Sequence, residues 1–129
     1  MANVLVFAEV RGGDLRKVAL EAVTAGRTLA ELSGGGSVHA LLAGEAGIET
    51  KAEALAQYGA DSVLVLEHAG FALYNPEALA ATVAQKMGSG TYGYALFSAT
   101  AQGRDLSPRV ASVLPASMLL AVTKGKTSC

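Results

Sequence analysis

NVLVFAEV, residues 3–10, decides how the rest of the chain is read. Its aliphatic, β-branched and aromatic residues run without the strict polar alternation of a half-wet strand. Such a run suits a strand buried on both faces, as in a parallel sheet. VHALLAG (38–44), SVLVLEH (62–68), YALFSA (94–99) and SMLLAV (117–122) repeat the pattern as four further strands. None approaches the ~20 residues that a membrane span requires. The first run also lacks the basic start and cleavage pattern of a secretory leader. No direct membrane insertion is expected.

Helical stripes separate these runs. Asp14 is placed to cap a helix from Leu15, whose apolar or small positions fall at 15, 18, 19, 22, 26, 29 and 30. SGGGS (33–37) closes it with glycine. GIETKAEALAQYGA (47–60) reads as a second helix ended by Gly59. NPEALAATVAQKM (75–87) carries clear signals for a third. Asn75 caps it, Pro76 opens it, and Glu77 suits its positive end. Leu79, Val83 and Met87 share one face. GSGTYG is a turn. Residues 104–114 make a short fourth helix, stopped by Pro115. The order β-α-β-α-β-α-β-α-β predicts an α/β fold, a parallel sheet covered on both faces in a three-layer sandwich.

Composition narrows the function. Hydrophobic residues make up 51% of the 129, enough for one domain with a sizeable core. A net charge of −1, no Trp, four Tyr and three Phe supply neither the basic footprint nor the stacking platform of a nucleic-acid binder. A lone cysteine, Cys129, cannot staple the fold, which agrees with a reducing, cytoplasmic setting.

Parallel sheets bind ligands beyond the carboxyl ends of their strands, near the point where strand order reverses. The segments to inspect are 9–14, 43–47, 67–75 and 98–107. GGD after the first strand is not a dinucleotide fingerprint, GGG (34–36) lies at the opposite edge, and no P-loop is present. His39 and His68 lack metal-ligand spacing and read as satisfied histidines in or beside strands. Ser98 and Thr100 lack a nucleophile elbow and read as groups that satisfy backbone at the strand end. Glu9 reads as a solvated strand-end acid rather than a ligand-facing one. Tyr92 and Tyr94 read as packing residues. SATAQGRDLSPRVA (98–111) stays open between a ligand loop and a structural or subunit-contact seam. A strand end running into a helix start suits anions, and Arg104 and Arg109 add charge. Asp105 opposes this, because it can cap the helix and pair with an arginine. Pro108 is expected in the first turn, where it costs little.

FSATAQGRDLSPRVASVL (97–114) resembles a stretch of the alpha subunit of electron transfer flavoproteins, roughly G-A-(T/S)-x-x-G-(R/K)-(D/N)-L-x-P-R-(L/V)-A-x-x-L. Gly103, Arg104, Asp105, Leu106, Pro108, Arg109 and Ala111 fall on it in register. VLVFAEVRGGDLRKVALEAVTAGRTLAE, ALAQYGADSVLVLEH and YNPEALAATVAQ are similar to further stretches, so that the likeness spans residues 3–114. Pro115, Ser117 and Ala121 depart from the family's glycines and aspartate.

The resemblance implies a Rossmann-like, adenine-nucleotide-alpha-hydrolase-like fold over residues 1–123, with 124–129 as a flexible tail. It implies a heterodimeric electron carrier without a catalytic site of its own. Electrons would pass from acyl-CoA-type dehydrogenases to a quinone oxidoreductase through FAD. That FAD would be held mainly by a C-terminal domain beyond these residues, so none is expected on this chain. The matched domain would pack against the beta subunit, with Gly103, Arg104, Asp105, Pro108 and Arg109 shaping a loop that meets protein. A competing reading is a stand-alone, universal-stress-type module that binds AMP or ATP.

Overall fold

The computed structural model describes residues 3–11, 14–68, 75–89, 92–98, 100–112 and 119–123. Its central strand is β1 (Asn3–Ala8), followed by a two-residue pair, β2 (Val10–Arg11) and β3 (Asp14–Leu15). α1 (Lys17–Leu32) leads to β4 (Val38–Gly44). A 3-10 turn (Ile48–Lys51) and α2 (Ala52–Gln57) lead to β5 (Ser62–Glu67). α3 (Pro76–Ser89), β6 (Tyr92–Ser98), α4 (Ala101–Ala111) and β7 (Leu119–Thr123) complete the order.

β5-β4-β1-β6-β7 form one parallel sheet. The chain therefore builds outward from β1 to β5, then returns to β6 on the other side of β1. Strand order reverses between β1 and β6. Val4, Val6 and Ala8 pack with Ala19, Ala22, Val23 and Ala30 of α1 and Leu55 of α2. Leu5 and Phe7 pack on the opposite face with Leu79, Val83 and Met87 of α3 and Leu106 and Val110 of α4. Period-two alternation in a doubly buried strand thus feeds two cores at once. The predicted three layers and five parallel strands are both present.

Helix termini follow local chemistry. Asn75 caps α3 by accepting the Ala78 amide at 3.2 Å, and Pro76 opens it as expected. α1 ends where Gly34 and Gly35 take φ of 97° and 91°. The Gly35 amide then returns to the Ala30 carbonyl at 2.8 Å.

Four expectations need correction. Asp14 does not cap α1. It pairs with Arg11 across the β2–β3 ladder and reaches Lys51 at 3.5 Å. The cap position belongs to Arg16, whose side chain makes no cap bond, so the helix starts two residues later than predicted. The second helix divides into a 3-10 turn and a short α-helix. α4 begins at Ala101 rather than residue 104. Residues 124–129, expected as a tail that ends in Cys129, and the stop expected at Pro115 lie outside the described residues.

Arg27 ties α1 to the amino edge of the sheet. Its guanidinium donates to the Gly59 carbonyl at 2.9 and 3.2 Å and to the Asp61 carboxylate at 2.5 Å. Asp61 also accepts the Val38 amide at 2.8 Å, so one carboxylate spans the β4 start and α1. The Val38 hydrogen bond and, after it, Arg27 hold the Asp61 carboxyl below its ordinary 3.8, against an opposing effect of partial burial. A depressed folded value stabilises the fold above the unfolded value, and that contribution is lost as pH falls through the folded value. The Asp61→Asn variant keeps an acceptor for Val38 but loses the charge. Urea midpoints are expected to fall below wild type at neutral pH, and the difference is expected to shrink as the solution is acidified below 3.8. A difference that stayed constant into acid would contradict this account.

Candidate functional site

The reversal point between β1 and β6 is where this architecture places ligands. The residues there are Glu9 just after β1, Arg16 at the start of α1, and Ser98 and Thr100 at the end of β6. Glu9 is 1% exposed, among the most buried side chains of the chain. This overturns its reading as a solvated acid. β1 stops at Ala8, and the chain turns so that the Glu9 carbonyl accepts the Arg16 amide at 3.1 Å. That turn carries the carboxylate inward.

Both carboxylate oxygens are engaged. Oε2 accepts from Arg16 Nη1 in an ion pair. Oε1 accepts from Thr100 Oγ1 at 2.5 Å. Thr100 is the N-cap of α4, and its Oγ1 accepts the Gly103 amide at 3.1 Å. The hydroxyl has one hydrogen. With its lone pair on Gly103, that hydrogen goes to Glu9. A buried anion therefore joins the first residues of two helices, at the ends where helix dipoles favour negative charge. Ser98 donates to the Val18 carbonyl at 3.2 Å, which agrees with its expected backbone role. Thr100 does more than expected: it caps α4 and holds Glu9.

The five motif residues lie in α4, not in a loop. Gly103 is buried, and a Cβ there would stand 1.8 Å from the Ser98 carbonyl oxygen. The residue type is fixed by the close approach of α4 to the end of β6. Asp105 does not cap the helix, because Thr100 does. It pairs with Arg109 one turn on, at 3.2 Å. Pro108 lies in the helix interior rather than the first turn. Its missing donor and its ring fall on the exposed side with Arg104, so the Arg104 carbonyl that loses its partner is at the wet face. Arg104, Pro108 and Arg109 are exposed; Gly103 and Leu106 are not.

The remaining candidates are dispersed. His39 is half-buried with Nδ1 2.5 Å from Tyr92 Oη, the rings edge to face. Burial pushes the Tyr92 hydroxyl above 10.0. His68 is exposed past β5, its amide bonded to the Gly44 carbonyl at 2.9 Å. Further along the carboxyl edge Glu49 and Glu67 share a hydrogen bond. It holds the Glu49 carboxyl below, and the Glu67 carboxyl above, the ordinary 4.5. Among the described residues no group of three histidines, cysteines or acids could hold a metal ion, and no helix is long and apolar enough to cross a membrane.

Three substitutions at two positions probe this geometry. Gly103→Ala gains about 1 kcal/mol of helix propensity. Its Cβ forces backbone apart, so a net loss of roughly 3 kcal/mol is expected in urea unfolding. A neutral result would show that α4 seats otherwise. Thr100→Val removes a cap and leaves a buried carboxylate oxygen short of a donor, expected to cost about 2–4 kcal/mol. Thr100→Ser retains both bonds and is expected to cost less than about 1 kcal/mol. Equal losses in the two would place the effect in packing instead.

Residues 4–128 match the model of the electron transfer flavoprotein domain. The chain is 35% identical over 117 residues to "Electron transfer flavoprotein subunit alpha" of Bacillus subtilis, covering 91% of this chain and 35% of that one. It is 39% identical over 114 residues to "Protein FixB" of Clostridium saccharobutylicum, covering 87% and 33%. It is 36% identical over 112 residues to "Acryloyl-CoA reductase electron transfer subunit beta" of Anaerotignum propionicum, covering 87% and 30%. The chain spans about a third of the length of these curated relatives. A family model that covers nearly the whole chain and relatives at this identity agree with the residues that carried the resemblance: the chain belongs to the electron transfer flavoprotein family.

Proposed function

We propose that this chain is the N-terminal, beta-subunit-contacting domain of an electron transfer flavoprotein alpha subunit. The whole protein would carry electrons from acyl-CoA-type dehydrogenases to a quinone oxidoreductase through FAD, without a catalytic site in this domain. The observation that carries the reading is the continuous match to alpha-subunit relatives over 91% of this chain and only 35% of the longer protein. The name of the Anaerotignum propionicum relative, an electron transfer subunit of an acryloyl-CoA reductase, supports a donor of the acyl-CoA class. Residues 1–123 would form the domain and 124–129 a tail. The relatives' bacterial sources support a bacterial cytoplasmic setting.

The reversal point does not fit a cofactor phosphate, because the Glu9 carboxylate already lies on the donors that a phosphate would need. This supports placing FAD on the remaining two thirds of the protein. It also weighs against a stand-alone AMP- or ATP-binding module. Arg104, Pro108 and Arg109, exposed on α4, are the residues we assign to protein contact, with Asp105 orienting Arg109. Gly103 serves them by seating the helix.

The test uses the 129-residue chain and an electron transfer flavoprotein beta subunit. The purified chain is expected to show no flavin absorbance and to bind the beta subunit. Arg104→Glu with Arg109→Glu is expected to weaken that binding about tenfold or more while the melting temperature holds. Stoichiometric FAD on the isolated chain, or binding untouched by the double charge reversal, would overturn the assignment.

A further inference from the structure

We propose that Glu9 supplies, from within the chain, the oxyanion that the crevice between β1 and β6 is built to hold. Its removal then turns the crevice into a site for a free oxyanion of the phosphate or carboxylate type. The proposal goes beyond the electron-carrier reading and does not depend on it.

Three observations carry it. The Glu9 carboxylate is 1% exposed, yet Glu9 belongs to no strand or helix. A buried charge persists only where its partners offset desolvation, so the partners define what the position requires. Those partners are an arginine on one oxygen and a hydroxyl on the other, each the N-cap residue of a different helix. That donor set matches the chemistry of an oxyanion. The Thr100 hydroxyl is also already oriented. It accepts the Gly103 amide at 3.1 Å and donates to the Glu9 carboxylate in the crevice. Loss of the carboxylate leaves a cation and an aimed hydroxyl around the space it filled.

The position is the one where doubly wound sheets bind ligands. Glu9 is thus a specificity-determining residue in the negative sense: it occupies the anion position covalently. A free phosphate or carboxylate cannot compete with a group held there by its own chain.

The experiment compares the wild-type chain, Glu9→Ala, and Glu9→Ala combined with Arg16→Gln. Thermal melts are recorded in inorganic phosphate, in acetate and in chloride at matched ionic strength. Glu9→Ala is expected to melt below wild type in chloride. It is expected to regain about 5 °C in saturating phosphate or acetate. Wild type and the double variant are expected to gain no more than the general salt effect. If Glu9→Ala does not fold in chloride, the readout is refolded yield, which phosphate or acetate is expected to restore and chloride is not. Equal gains in Glu9→Ala and wild type, no recovery of yield, or equal gains with and without Arg16 would each overturn the proposal. The last of these would mean an adventitious ion only.

Discussion

The ion pair and hydrogen bond on Glu9, beside the Ser98–Val18 hydrogen bond, join parts of the chain far apart in sequence at the carboxyl edge. One oxygen belongs to Arg16, seven residues on, and the other to Thr100, 91 residues on. Transfer of a carboxylate out of water costs several kcal/mol, and the cost is met only when both partners are in place. The three groups are therefore interdependent. β1, the start of α1 and the start of α4 hold one relative placement because any other would strand a buried charge. Loss of either partner leaves the carboxylate uncompensated, which is why such contacts specify geometry more than they add stability.

Small residues make the bridge possible. α1 presents Ala19, Ala22, Gly26 and Ala30 to the sheet, and a Cβ on Gly26 would stand 2.8 Å from Val6 Cγ2. α4 does the same at Gly103, where the neighbour is the Ser98 carbonyl oxygen at 1.8 Å. In both cases φ is not the constraint; space is. One helix is seated on β1 and the other on β6, close enough for a single glutamate between them to reach both N-caps. Larger residues at 26 or 103 would move the helix starts apart, and a carboxylate cannot stretch to follow.

Much of the fold was legible in the sequence, because doubly buried strands leave uninterrupted apolar runs and well-capped helices carry their signals within four residues. α3 is the example, with Asn75, Pro76 and the 79, 83, 87 face all as expected. The β2–β3 ladder was not legible, because two-residue strands are too short for a period. α4 was misplaced for a physical reason. Pro108 favours a first turn, yet here it lies at the wet face of a helix interior, where a lost hydrogen bond is replaced by water. The true start was signalled by Thr100, whose hydroxyl reaches the third residue after it. Glu9 was misread because alternation ends with the strand. Past Ala8 the side chain's direction depends on the turn to Arg16 and on a hydroxyl from the other half of the chain, and no local pattern contains either.

The buried carboxylate also bears on the role proposed for this domain inside a larger electron carrier. A fold whose crevice is completed by a free ligand gains stability in proportion to the logarithm of ligand concentration, and loses it when the ligand leaves. A crevice completed by Glu9 has its anion at fixed stoichiometry. The domain's geometry, including the exposed Arg104 and Arg109 on α4, is then set by the chain alone. That independence suits a domain whose proposed task is to present a constant surface to a partner subunit. On the proposed reading, redox state and cofactor loading would change elsewhere in the protein, and a carboxylate tied to Arg16 and Thr100 would give neither change a handle on the position of α4.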